Sequence, residues 1–208
     1  MERWDRRKYR GAGCPLNPVM YRKSPYTGVL WCPYTETINH IHDGYVHRLD
    51  GPAVEWEDGT KHWYENGCLH RLDGPAVEYD GGLKAWYVNG KRHRVDGPAI
   101  EWPDGEKEWY VNGCLHRLEG PAIERSTEKA WYVNGLLHRL DGPARIWDGD
   151  QGWYQYGKLH RLDGPAIEWA DGSIDWYLNG TKVDISLIDY DGSRPLTEEE
   201  RVLLILHS

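Results

Sequence analysis

Residues 47–69 read HRLDGPAVEWEDGTKHWYENGCL, and the stretch comes back five more times along the chain. His47, His70, His93, His116, His138 and His160 each open a copy of His-Arg-x-Asp/Glu-Gly-Pro-Ala, at spacings of 23, 23, 23, 22 and 22 residues. A period of this length marks a repeat architecture, in which each unit buries its apolar side against its neighbours. Within a unit, the segment from Ala53 to Trp56 is followed by Asp58 and Gly59 and then by a segment through His62, Trp63 and Tyr64. Two short alternating segments around Asp-Gly predict a β-hairpin with a two-residue type I′ loop. Gly81 and Gly82, Asp104 and Gly105, and Asp171 and Gly172 take the same place. The fourth copy, with Ser126, Thr127 and Glu128 and one residue fewer, predicts a three-residue loop or a bulge.

A second reversal is written into Asn66-Gly67 and its equivalents at Asn89, Asn112, Asn134 and Asn179. Gly51-Pro52 then places proline at the start of a strand, where its missing N–H is tolerated. The expected fold class is all-β: an elongated antiparallel β-hairpin repeat array with a short C-terminal capping helix.

A two-residue loop pairs Val54 with Trp63 and Trp56 with Lys61, which puts Val54, Trp56 and Trp63 on one face by the period-two rule. Repeated along the chain, this predicts an apolar seam of Val77, Ile100, Ile123 and Ile167 with Trp86, Trp109, Trp131, Trp153 and Trp176. The opposite, wet face is expected to carry Tyr64, Tyr87, Tyr110, Tyr132, Tyr154 and Tyr177 together with Glu55, Glu78, Glu101, Glu124 and Glu168. That aromatic and acidic face is the expected partner-binding surface, since aromatics supply rigid contact area. The fifth copy departs from the pattern: Arg145 stands in the Val/Ile slot, Ile146 in the Glu slot and Tyr156 in the Asn slot. Arg145 and Tyr156 are therefore candidates for a specific partner contact, and a one-residue slip there exchanges the faces.

Composition agrees with short strands and frequent reversals. The 208 residues contain 12 Trp, 14 Tyr, 24 Gly and 12 Pro but no Phe. A formal charge of −8 speaks against a mainly electrostatic binder of DNA or anionic membranes. No run approaches the roughly 20 apolar residues of a membrane span and no signal-peptide pattern opens the chain, so a cytoplasmic location is expected. Cys14, Cys32, Cys68 and Cys114 form no CxxC pair. Cys68 and Cys114, two repeats apart, are expected to lie roughly 20 Å from each other as free thiols.

These features resemble the MORN repeat, whose units are also of this length, with an aromatic-rich hairpin, a DG turn and an NG-x-x-H connection. The resemblance covers residues 43–182. The His-Arg-x-Asp-Gly-Pro-Ala variant is similar to repeats in bacteriophage and large DNA virus proteins. It implies a twisted antiparallel sheet used for protein contacts, and in some members lipid contacts, with no catalytic residues. His-Arg in place of His-Gly, and the added Pro-Ala, depart from the common pattern.

Three regions follow: a divergent cap and basic arm over residues 1–42, six hairpin units over 43–182, and a cap over 183–208 with a helix at 197–206. The arm, Arg3 to Arg10, holds five Lys and Arg residues. Thr197 and Glu200 form an expected capping box, and the apolar run from Val202 to Leu206 is expected to cover the last hairpin or to dock on a partner or second copy.

Arg48, Arg71, Arg94, Arg117, Arg139 and Arg161 offer an alternative reading as an anion-binding edge. Each lies two residues before Asp or Glu, so each is expected to tie down its own loop, while the histidines bond backbone or stack on the next unit. Repeats hold the histidines apart, and no metal site is expected; His40, His42 and His47 lack a completing ligand. Catalysis needs an asymmetric constellation, and identical ladders of Glu and Tyr give no split between acid and base. The expectation is a non-enzymatic protein-binding scaffold without cofactor, phage- or virus-encoded, that modulates or inhibits a host protein in the host cytoplasm. Nucleic-acid or nucleotide binding through the His-Arg edge and acidic mimicry of DNA are the alternatives.

Overall fold

The computed structural model describes residues 2–3, 26–33, 35–188 and 196–206. Residues 4–10 of the basic arm and Cys14 lie outside the described residues. The chain divides into two compact units, the first ending at Gly113 and the second beginning at Cys114.

In the first unit an antiparallel sheet runs in chain order through Gly28–Cys32, Thr37–His42, Val54–Trp56, Lys61–His62, Val77–Glu78, Lys84–Ala85, Ile100–Glu101 and Lys107–Glu108. In the second it runs through Ile123–Glu124, Glu128–Ala130, Arg145–Trp147, Asp150–Gly152, Ile167–Glu168 and Ile174–Asp175. Each repeat contributes two of these strands and then closes with a smaller hairpin, such as Tyr64–Glu65 with Cys68–Leu69 or Tyr132–Val133 with Leu136–Leu137. The chain is thus an all-β array of hairpins with one α-helix, Glu198–Leu206, among the described residues.

The Asp-Gly turn differs from expectation, while the Asn-Gly reversals stand where the sequence places them. At Asp58-Gly59 only the glycine has positive φ, and Trp56 N–H bonds Thr60 O at 3.0 Å, so the loop has three residues, Glu57 to Gly59. Asp58 Oδ1 accepts from Thr60 N–H at 2.8 Å, which holds this type I turn and its glycine bulge. The two-residue type I′ loops are instead Asn66-Gly67 and its equivalents, where both residues have positive φ. The fourth repeat, expected to have the longer loop, has the shorter one: Arg125 N–H bonds Glu128 O across Ser126 and Thr127.

The longer loop moves the register by one residue. Val54 pairs with His62 and Glu55 with Lys61, so Val54, Trp56, His62 and Tyr64 share one face, and Glu55 and Trp63 take the other. The predicted placing of Trp63 with Val54 and of Tyr64 with Glu55 is therefore corrected, whereas Trp56 shares the face of Val54 as expected. Tyr64 packs on the cluster of Leu30, Ile41, Val46, Ala53 and Val54, while Tyr87 and Tyr110 pack on Val77, Ala85 and Ile100. Val54, Val77, Ile100, Ile123 and Ile167 are all buried, each contributing about 1.5–3 kcal/mol. The Gly-Pro-Ala alanines Ala53, Ala76, Ala99, Ala122, Ala144 and Ala166 are fully buried.

Ahead of the first repeat, Glu2–Arg3 pairs in parallel with Gly28–Cys32, which forms a hairpin with Thr37–His42, whose Thr37, Ile38 and Asn39 pair with Trp56, Glu55 and Val54. That hairpin covers the edge the first repeat would otherwise expose. In the second unit the helix places Leu204 among Trp176, Leu178, Val183 and Leu196. Its start is a capping box: Glu200 N–H donates to Thr197 Oγ1 at 3.3 Å, and Thr197 N–H donates to Glu200 Oε2 at 2.7 Å.

Candidate functional site

The loop that opens each repeat is held by its arginine. Arg94 Nε donates to Asp96 at 3.0 Å, and its Nη1 donates to Glu101 at 2.9 Å and to the Pro98 carbonyl at 3.1 Å. The guanidinium also lies 4.0 Å from the ring centroid of Trp86, on the preceding return strand. Arg71 over Trp63, Arg139 over Trp131 and Arg161 over Trp153 repeat the stack at 3.9–4.1 Å. The glycine two residues after each Leu or Val leaves room for this: a Cβ at Gly74 would lie 2.9 Å from Arg71 Cζ. In the first repeat His40 stands where the other repeats have Trp, with its Nε2 3.0 Å from Arg48 Nη1.

The arginine hydrogen bond holds the Asp50, Asp73 and Asp141 carboxyls below the ordinary carboxylate range. Each repeat histidine accepts a backbone N–H from the small turn that closes its own unit. His47 Nδ1 takes that of Asn66, His93 that of Asn112, His116 that of Asn134 and His160 that of Asn179, at 3.0–3.1 Å. Histidine and arginine thus serve as ties within and between repeats.

The structure separates the residues expected to form one binding face. Glu55, Glu78, Glu101, Glu124 and Glu168 are ion-paired to Arg48, Arg71, Arg94, Arg117 and Arg161. The tyrosines lie on the other side of the sheet, and burial raises the hydroxyl pKa of Tyr64, Tyr110, Tyr132 and Tyr154. Tyr87 accepts from Arg92 Nε, and Arg92 also reaches Tyr110. Tyr177 opens the last small hairpin, paired with Lys182.

Arg145 and Tyr156 have no partner in common. Arg145 keeps the Val/Ile register, with Ala130 on one side and Gly152 on the other, and those two small residues leave it room on the core face. Its Nε donates to Glu128 at 2.8 Å. Tyr156 is exposed at the small turn, stacked on His138 with centroids 4.4 Å apart, and its φ of 49° is one that asparagine tolerates better.

Beside each arginine stands a feature the sequence reading passed over. Leu49, Leu72 and Val95 in the first unit are 77, 80 and 81 % exposed, and Leu118, Leu140 and Leu162 occupy the same place in the second. The signal was present in the variable third position of His-Arg-x-Asp, which is aliphatic in all six copies. Between successive loops of the first unit lie two notches. One, of about 510 Å³, is lined by Leu49, Asp50, Trp63, His70, Leu72 and Asp73 among others. The next, of about 600 Å³, is lined by Leu72, Asp73, Trp86, Val88, His93 and Val95 among others.

Cys68 and Cys114 are exposed free thiols. Among the described residues no group of three His, Cys, Asp or Glu side chains is placed to hold a metal ion, and no helix is long and apolar enough to cross a membrane. No protein-family model matches the chain, and no curated protein matches it in sequence.

Proposed function

We propose that this chain is a non-enzymatic protein-binding repeat scaffold of MORN-like type, phage- or virus-encoded, that modulates or inhibits a host protein by occupying it. One observation carries the reading: every repeat holds out an exposed aliphatic side chain from a loop whose arginine is already satisfied by its own repeat. An exposed Leu in the same place of unit after unit has no role in the sheet, and apolar side chains grouped at an edge mark a contact surface. The partner contact lies at this loop edge rather than on the tyrosine face.

Two further features support the reading over its rivals. The carboxylates that recur are paired to arginine, which leaves no acid and base of differing character for catalysis. The arginines are in turn neutralised by carboxylates, so they offer little to a phosphate chain. The helix adds a lesser surface, since Val202, Leu203, Ile205 and Leu206 stay 43–72 % exposed while Leu204 is buried, and a second copy is the partner proposed for it.

The test is a pull-down of the tagged chain from host lysate with and without nuclease, repeated with Leu72→Ser. A stoichiometric protein that survives nuclease and is lost in the variant supports the reading. Recovery that depends on nucleic acid overturns it in favour of the arginine edge.

A further inference from the structure

Resting on the protein-binding reading, we infer that the notched edge of residues 48–96 takes a polyproline II segment of its partner that carries a basic side chain at every third residue. The first ground is charge. Asp50, Asp73 and Asp96 have side chains 79–86 % exposed beside Leu49, Leu72 and Val95, while the neighbouring arginines are largely covered. Each of these arginines is shared by an Asp and a Glu, so each loop keeps a net negative charge, and each notch presents an aliphatic wall and an anionic rim complementary to a cationic side chain with an apolar stem.

The second ground is lining. Trp63 and His70 line one notch, and Trp86 and His93 line the next. Aromatic-lined grooves with an apolar rim are the surfaces on which proline rings dock.

The third ground is period, and here magnitudes decide among peptide conformations. Successive loops belong to strands two apart in the sheet, so they recur at about 9.6 Å. A polyproline II helix returns to the same side every three residues, or about 9.3 Å. An α-helix returns after seven residues, about 10.5 Å, and accumulates three times the mismatch. An extended strand presents one side every two or four residues, at about 6.7 or 13.4 Å, and misses the loops. The polyproline segment also loses little conformational entropy on docking, because it is extended before it binds.

The experiment uses the full chain and three fluorescein-labelled peptides, (Pro-Pro-Arg)4, (Pro-Pro-Gln)4 and (Pro-Pro-Pro-Arg)3, with binding read by anisotropy. The three-residue arginine repeat is expected to bind, and the other two to bind about tenfold more weakly or worse. Leu72→Ser and Asp73→Asn change exposed side chains, and each is expected to weaken the first peptide about tenfold while circular dichroism stays that of the parent. Equal binding of the two arginine peptides, no effect of Leu72→Ser, or no binding of any peptide overturns the assignment. Peptides that fail while the pull-down still yields a partner lost with Leu72→Ser overturn the polyproline ligand and leave the scaffold standing. Failure of both removes the scaffold reading as well.

Discussion

The first and fifth repeats carry the same Asp-Gly pair between their sheet strands and turn it in two ways. In the first, Glu57, Asp58 and Gly59 form a three-residue loop, and Val54 pairs with a residue eight positions on, His62. In the fifth, Asp148 and Gly149 both have positive φ, the loop has two residues, and Arg145 pairs with Gly152, seven positions on. The shorter chain has lost a loop residue and kept the register, so Arg145 faces the core side as Val54 does. What yields to a deletion is the turn, because both sheet strands of the fifth repeat are bonded to neighbours on both sides and a slip would turn each of their side chains to the wrong face.

The largest expected effect breaks the fifth repeat. Arg145→Ala leaves Glu128, 15 % exposed in its side chain, with Arg125 as its remaining cation, and should cost about 2 kcal/mol of unfolding free energy, read from denaturant unfolding. Arg145→Ile with Glu128→Leu rebuilds the apolar seam of the other repeats and should recover most of that loss. A double variant as unstable as the single one would show that Arg145 is held for some other reason.

Between about pH 6.5 and 4, acid should act on the seam of the first repeat and leave that of the fifth alone. His62 lies in the seam against Trp56, Tyr64 and Tyr79, neither ring nitrogen has a hydrogen-bond partner, and burial lowers its pKa to about 4. A folded pKa below the ordinary value of about 6.5 means the unfolded chain binds the proton more readily. The contribution is therefore full above about 6.5 and is lost as pH falls to about 4. Allowing for the partial exposure of the ring, the change is about 1–2 kcal/mol. His62→Ala should flatten this part of the stability profile, whereas Gly152 in the same slot has nothing to titrate. Burial also lowers His160, which titrates in the same direction.

The smallest effect sharpens the comparison. Arg139 is paired with Asp141, but Ile146 stands where other repeats place the second carboxylate. Ile146→Glu should stabilise the fifth repeat by about 0.5 kcal/mol, and Glu101→Gln should weaken the third by a similar amount, both read from denaturant midpoints. Opposite signs in these two variants would confirm the second ion pair as a distributed, modest tie.

Much of this was legible from the chain. The period, the hairpins, the burial of Val77, Ile100 and Ile123 and the capping box at Thr197 follow from patterning and local hydrogen-bond chemistry. The arginine ties were legible as well, since Arg48 and Asp50 are two residues apart. The stacking of Arg71 on Trp63 was not, because it joins two units through space. Nor was the exposure of Leu72, since an aliphatic residue at a fixed place in a repeat reads as core until the loop is seen to hold it outward.

The sequence by itself determined that this protein is a run of β-hairpin units, because a repeated motif with turn residues at fixed offsets admits no other local structure. The tertiary structure decided which side chains share a face. Asp-Gly is compatible with loops of two or three residues that differ little in local energy, and only the ladder bonds to adjacent strands select between them. That choice of a single residue put Trp63 with Glu55 and Arg71, moved Tyr64 onto the core with Val54, and left the Leu and Asp of each loop as the outward edge.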